Sequence, residues 1–82
     1  MTITQLKYVL AVAEYKNFTT ASENCFVTQP TLSMQIQKLE EELNVIIFNR
    51  KKKPIQLTAI GEKIIDQAKI IVDESNRIND IV

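Results

Sequence analysis

Residues 28–43 of this 82-residue chain read Thr-Gln-Pro-Thr-Leu-Ser-Met-Gln-Ile-Gln-Lys-Leu-Glu-Glu-Glu-Leu. Apolar residues recur in it at intervals of four, three and four, which places them on one stripe of a helix. These residues are Leu32, Ile36, Leu39 and Leu43. Thr28 is predicted to cap the helix, with Pro30 in the first turn, where its missing N–H costs nothing. Asn44 tolerates the left-handed conformation and is predicted to end the helix.

The face opposite this stripe is rich in amides and hydroxyls, whereas an ordinary solvated face mixes lysine and glutamate. Its polar residues are Gln29, Thr31, Ser33, Gln35, Gln37 and Lys38. No acidic residue appears in the helix before Glu40. Glutamine offers a donor and an acceptor side by side, which is the pattern that reads adenine N6 and N7 in the major groove of DNA. These residues alone are compatible with base readout and equally with a neutral surface helix.

Two further helices are predicted before this one. Thr2 and Gln5 match a capping box, and the apolar face that follows extends to about Tyr15. Thr19 is predicted to cap a short second helix. The inward-facing residues of that helix are predicted to be Ala21, Cys25 and Phe26. A short turn between two helices, the second with a polar outer face, is typical of a helix-turn-helix.

The apolar period changes after Asn44. Residues 45–48 form a short β-branched and aromatic run, and residues 55–57 alternate between apolar and polar; together they predict the two strands of a small hairpin. The residues between them include four cations and no acid, so that residues 45–57 carry a net charge of +4 within a chain of net charge zero. These cations are Arg50, Lys51, Lys52 and Lys53. Such a loop is often only solvated, but beside a polar recognition face phosphate contact is the better interpretation, because each neutralised phosphate releases counterions.

A long final helix is predicted to begin after Thr58. Its apolar stripe keeps a four-three-four-three-four spacing and consists of Ile64, Ala68, Ile71, Ser75, Ile78 and Val82. About 25 residues at about 1.5 Å each reach roughly 37 Å, which exceeds what a small three-helix core can cover. An antiparallel copy of the same helix is the predicted partner; the alternative is a helix packed wholly on its own domain. The chain stops within this helix without a cap, so we expect a fragment of a longer protein.

Composition excludes several classes of protein. The chain has no histidine and one cysteine, so it can build neither an internal disulfide nor a Cys/His zinc site. It has no paired catalytic constellation, so neither enzymatic activity nor a cofactor is expected. The apolar residues are periodic rather than continuous, which predicts no signal peptide and no membrane span. The cytoplasm is the expected location.

Short motifs throughout the chain together resemble the DNA-binding domain of LysR-type transcriptional regulators. These motifs are Phe18–Ala21, Val27–Ser33, Lys38–Leu43, Phe48–Arg50 and Leu57–Gly61. The resemblance covers essentially all 82 residues without a gap. It implies a mainly α fold, in which a winged helix-turn-helix (three helices plus a two-stranded wing, residues 1–57) precedes a long linker and dimerisation helix (residues 58–82). An effector domain would lie outside this chain.

The same resemblance implies roles for individual residues. The side chains expected to bind DNA are Thr19, Thr20, Thr28, Gln29, Pro30, Thr31, Ser33, Met34, Gln35, Gln37, Lys38, Arg50, Lys51, Lys52 and Lys53. Among them, the threonines at 19 and 20 would approach the DNA backbone, and Lys53 would approach the minor groove. Met34 stands where many family members have arginine, which removes one expected base or phosphate contact.

The expected function is therefore sequence-specific binding of double-stranded DNA by a bacterial transcriptional regulator. It would bind an interrupted palindrome as a homodimer, with a tetramer in the intact protein. Within the family the chain resembles most the peroxide-responsive members. The residues that carry this resemblance are Cys25, Gln29–Ser33, Gln35, Ile36 and Asp66–Ala68, together with the absence of arginine at 34. Two alternatives stay open: a member that senses a small molecule for a metabolic operon, and a winged-helix module that contacts protein. Strong salt dependence would favour DNA over a protein partner.

Overall fold

Four helices and one short hairpin make up the computed structural model, which describes residues 1–82. The elements in chain order are α1 Ile3–Tyr15, α2 Phe18–Asn24, α3 Gln29–Leu43, β1 Phe48–Asn49, β2 Gln56–Leu57 and α4 Ala59–Ile81. β1 and β2 pair antiparallel, with Phe48 opposite Leu57. This order confirms the predicted mainly α fold, with three helices, a wing and a long last helix. No helix has both the length and the apolar character needed to cross a membrane.

The predicted caps of α1, α3 and α4 are confirmed, and that of α2 is wrong. Thr28 Oγ1 accepts the Thr31 N–H at the start of α3, and Asn44 ends α3 with a φ of 55°. At α2 the cap is Asn17 rather than Thr19, because the Asn17 Oδ1 accepts the Thr20 N–H at 2.8 Å. Thr19 consequently lies inside the first turn of α2, which begins at Phe18.

One apolar core joins the three small helices, the wing and the first half of α4. Its buried residues are Leu6, Val9, Val12, Ala21, Leu32, Ile36, Leu39, Ile47, Phe48, Ile55, Ile65, Ala68 and Val72. Two residues predicted to face inward do not. Phe26 is 94% exposed, because it sits in the turn after α2 with a φ of 58°. Leu43 is 38% exposed in the last turn of α3, at the margin of the core.

The first strand of the wing is shorter and later than predicted. Residues 45–47 are not part of it, and β1 covers only Phe48 and Asn49. The polar backbone atoms of Ile47 are already used elsewhere: its N–H binds a side chain of α3, and its carbonyl oxygen accepts the Thr58 N–H at 2.9 Å. The apolar run before Phe48 therefore buries the Ile47 side chain in the core without pairing as a β-strand.

The start of α4 packs tightly on this same connection. Gly61 is buried in the first turn of α4, facing the Ile47 carbonyl group, and a Cβ atom built on Gly61 would overlap the Ile47 carbonyl oxygen. The obstacle is backbone, which cannot swing aside as a flexible side chain can. The close approach of α4 to the chain that leaves α3 thus requires glycine at this position.

Gly61→Ala should therefore destabilise the chain, although alanine is normally the better helix former. At an exposed helical position, replacing glycine by alanine raises the free energy of unfolding by about 1 kcal/mol. At position 61, overpacking against fixed backbone should outweigh this gain and lower the free energy of unfolding by about 2 kcal/mol. Urea denaturation followed by circular dichroism measures the change. Gln67→Ala, on an exposed face of the same helix, is the control. A Gly61→Ala chain as stable as the native one would contradict the close approach.

Candidate nucleic-acid interface

The N-terminal half of α3 presents an exposed face on which no acid lies. Burial of Leu32, Ile36 and Leu39 in the core orients the helix, so that its other side is left open. The exposed residues of that side are Gln29, Pro30, Thr31, Met34, Gln37 and Lys38. We call these six residues the recognition face. All six belong to the residues that the sequence marked as candidates for DNA contact.

The recognition face is rotated relative to the face that the sequence predicted. Ser33 and Gln35 are half-buried at its two margins, and both are held by neighbouring elements. The Ser33 hydroxyl accepts a hydrogen bond from Arg50 Nη1 at 3.1 Å, and the Gln35 Oε1 accepts one from Gln5 Nε2 at 3.2 Å. Met34, rather than a polar residue, lies between these margins near the middle of the exposed face.

A buried carboxylate fastens the wing to α3. Glu40 is only 7% exposed, and its Oε2 accepts the Ile47 N–H at 2.7 Å and the Phe48 N–H at 3.4 Å. Its Oε1 accepts a hydrogen bond from Arg50 Nη2 at 3.3 Å. Burying a carboxylate is costly unless it is paired and hydrogen-bonded, and here both oxygens are satisfied. The root of the wing is therefore held to the recognition helix.

Arg50 completes this connection. Its guanidinium bridges Ser33 and Glu40 and lies 4.7 Å from the ring centroid of Phe18, the first residue of α2. The Phe18 ring in turn meets the Phe48 ring edge-on at 6.1 Å. We call these five residues, Phe18, Ser33, Glu40, Phe48 and Arg50, the wing anchor. The sequence assigned Arg50 to phosphate contact, whereas its polar contacts in the structure lie within the protein, with 38% of its side chain exposed.

The role of Glu40 was not predicted from the sequence. A signal for it existed, because Glu40 follows Leu32 and Ile36 at successive intervals of four and so falls beside the apolar stripe of α3. An acid at such a position indicates a buried partner. Arg50 could have been suspected as that partner, but nothing in the sequence states that the wing folds back onto α3.

The lysines near the recognition face form no ion pair with an acid of the chain. Lys38 is exposed on α3, and Lys51, Lys52 and Lys53 are exposed at the wing tip, directly after the anchored Arg50. No lysine of the chain is in an ion pair; the basic side chains that are paired belong to Arg50 and Arg77. The four lysines therefore keep their full positive charge for an external anion.

The remaining candidates lie on α2 and at its end. Thr19 is exposed and Thr20 is half-buried in the first turn of α2, the turn whose Phe18 stacks under Arg50. Cys25 is a free thiol at the end of α2, half-buried against the core. Burial raises the pKa of the Cys25 thiol, so the reactive thiolate is scarce at neutral pH.

The apolar stripe predicted on α4 is divided between two environments. Ala68 is 1% exposed and belongs to the core of its own chain, so its assignment to a dimer surface is wrong. Ile64, Ile71 and Ser75 are half-buried at the margin of that core. Ile78 is 65% exposed and Val82 is 98% exposed. With Ile60, 44% exposed, they leave an uncovered apolar band along α4.

The arrangement is that of a winged helix-turn-helix, and the chain matches one family of such proteins over residues 3–62. That family is described as bacterial regulatory helix-turn-helix proteins of the lysR family. The chain belongs to this family, as its motifs predicted.

Individual relatives are similar at moderate identity. The chain is 43% identical over 74 residues to the hydrogen peroxide-inducible genes activator of Haemophilus influenzae, covering 90% of this chain and 25% of that protein. Full-length OxyR of Pseudomonas aeruginosa, as a cysteine variant, matches with a TM-score of 0.94 and 42% identity over 99% of this chain and 28% of that one. The BenM DNA-binding domain in complex with benA site 1 DNA matches with a TM-score of 0.94 and 32% identity, covering 99% of this chain and 91% of that one. The chain thus spans about a quarter of the length of its full-length relatives.

Proposed function

We propose that this chain binds double-stranded DNA as part of a bacterial transcriptional regulator, with the recognition face of α3 in the major groove and the wing on the DNA backbone. The observation that carries the proposal is an exposed, acid-free helix face braced against a wing whose lysines have no partner. The family to which the chain belongs and the solved complex of BenM with DNA support it.

The residues divide between base readout and phosphate contact. Gln29 and Gln37 carry the amides suited to adenine, and Thr31 carries a hydroxyl. Lys38 and the wing lysines contact phosphates, with Lys53 the residue that approaches the minor groove. Thr19 and Thr20 face the backbone from the start of α2. Ser33, Gln35 and Arg50 act chiefly as the framework that holds these side chains in place.

Charge fixes which half of α3 meets the DNA. Glu41 and Glu42 are exposed in the last turns of the helix; Glu42 is paired with the N-terminal ammonium of Met1 at 2.7 Å, whereas Glu41 has no ion-pair partner and repels phosphates. The first turns carry no acid, and the positive end of the helix dipole lies there, which favours anions. The N-terminal half therefore approaches the duplex, and the C-terminal half is held away from it.

A comparison of two variants tests this division. Gln29→Ala should relax the preference at one base pair of each half-site, at about 1–3 kcal/mol, and leave binding to random DNA nearly unchanged. Replacing Lys51, Lys52 and Lys53 together by alanine should weaken binding to all duplexes and flatten the dependence of log K on log salt by about three units, because three phosphate contacts are lost. Fluorescence anisotropy with a duplex selected from a randomised pool, and with a scrambled duplex, measures both effects.

Two results would contradict the assignment. If Gln29→Ala weakened binding to the selected and the scrambled duplex equally, α3 would not be the element that reads the bases. Binding that does not respond to salt would favour the alternative of a winged-helix module for protein contact.

We propose further that residues 58–82 link this domain to the rest of the protein and dimerise it. An apolar band of Ile60, Ile64, Ile71 and Ile78 runs along α4, exposed at Ile60 and Ile78 and half-buried at Ile64 and Ile71. A second copy in antiparallel orientation would complete its burial. Two-fold symmetry then places two recognition faces on one duplex, so the operator is an interrupted palindrome. The intact protein would assemble further, to a tetramer.

Ile71→Asp should convert the dimer to a monomer, because it places a charge within the apolar band. Sedimentation velocity at high micromolar concentration measures the change, and binding to a duplex with two half-sites should weaken in parallel. Asn76→Asp adds the same charge to α4 outside the band and should leave the dimer intact. A native chain that stays monomeric at this concentration would contradict the proposal.

The similarity to peroxide-inducible activators and to OxyR leads us to propose a peroxide-responsive regulator as the intact protein. Sensing would then belong to the part of the protein outside this chain. Cys25 is the single cysteine here and its thiol pKa is raised, whereas a sensing cysteine needs thiolate character and commonly a second cysteine. A regulator that senses a small molecule stays the alternative, because relatives whose names do not mention peroxide, TfdT and TcbR, match at 40% and 38% identity.

A further inference from the structure

Met34 is an apolar residue near the middle of a polar surface. Its side chain is 48% exposed, although the buried stripe of α3 runs through Leu32 and Ile36 on the other side of the helix. Pro30 lies one turn before it and Lys38 one turn after it, and both are exposed. Met34 therefore belongs to the recognition face and not to the core.

The polar groups nearest to Met34 in sequence are partly engaged within the protein. The Ser33 hydroxyl accepts a hydrogen bond from the Arg50 guanidinium, and the side-chain oxygen of Gln35, Oε1, accepts one from the Gln5 side chain. Between these margins the exposed side of α3 thus offers a thioether and methylenes. Whatever meets this point must gain from contact with an apolar, polarisable group.

The major groove contains one apolar feature. Guanine, adenine and cytosine present hydrogen-bond donors and acceptors there, whereas thymine adds a C5-methyl group. Methionine is unbranched and has three rotatable bonds, so it adapts to a single methyl group on an irregular surface. A lone exposed methionine surrounded by Gln37, Lys38 and Thr31 is also too small an apolar area for a protein docking site.

We propose that Met34 is a specificity-determining residue that recognises the C5-methyl group of one thymine in each half-site. The proposal rests on the DNA-binding function proposed above and assigns a chemical preference to one position of the site. An arginine at this position would instead require an acceptor such as guanine, so a methionine here changes which base pair is preferred. The energy comes from removing the methyl group and the thioether from water.

Deoxyuridine provides a direct test, because it lacks only the methyl group of thymidine and keeps every donor and acceptor. Duplexes selected from a randomised pool by the 82-residue chain are resynthesised with one thymine at a time replaced by uracil. We expect one position, present once in each half-site, at which the replacement weakens binding. The loss should be about fourfold per half-site, which corresponds to one buried methyl group. Met34→Ala should bind thymine and uracil duplexes equally at that position.

Gln37→Ala is the contrasting variant on the same face: because Gln37 is itself proposed to read a base, it should weaken binding to thymine and uracil duplexes alike and keep the difference between them. Circular dichroism verifies that Met34→Ala is folded, which its exposure leads us to expect. Equal binding of thymine and uracil at every position, or a difference that persists in Met34→Ala, would overturn the role of Met34. Failure to select any duplex would instead overturn the proposed function itself.

Discussion

The buried carboxylate of Glu40 is the interaction on which the functional surface depends. The wing consists of two strands of two residues each, too few to hold a position by themselves. Glu40 supplies what the hairpin lacks, because it binds the backbone of Ile47 and Phe48 and the guanidinium of Arg50 at once. Arg50 extends the connection to Ser33 and Phe18. The recognition helix, the wing and the start of α2 are thereby joined through one charged centre.

This arrangement explains how a chain of zero net charge can present a DNA-binding surface. The four cations of the wing are divided in function: Arg50 holds the wing in place, and Lys51, Lys52 and Lys53 remain unpaired beyond it. The acids of α3 are divided likewise, because Glu40 is buried, Glu42 is paired with the N-terminal ammonium, and Glu41 is exposed without an ion-pair partner. Overall charge therefore says little about binding here, whereas the placement of each charge says much.

Local signals predicted much of this structure, and the errors come partly from helical spacing extended past a helix end and partly from contacts between residues far apart in the chain. Thr28 and Asn44 define α3 correctly because caps depend on neighbouring residues. Phe26 was placed inward because helical spacing was extended past the end of α2. Ala68 lies on the same stripe as Ile71, and spacing alone cannot tell whether a residue packs on its own core or on another chain. The sequence assigns Arg50 to phosphate contact and gives no sign that Glu40, ten residues away, also binds it.

The affinity of the Glu40→Gln chain for its selected duplex is the measurement that tests this account most directly. Glutamine keeps the shape of the side chain but removes the charge, so at least one of the bonds to Ile47, Phe48 and Arg50 weakens. Removing a negative charge near DNA would by itself tighten binding. The account predicts the opposite, about tenfold weaker binding with the helix content unchanged, as expected from losing a charge-assisted hydrogen bond of about 1.5–3 kcal/mol. Equal or tighter binding would contradict the claim that this carboxylate holds the wing in its working position.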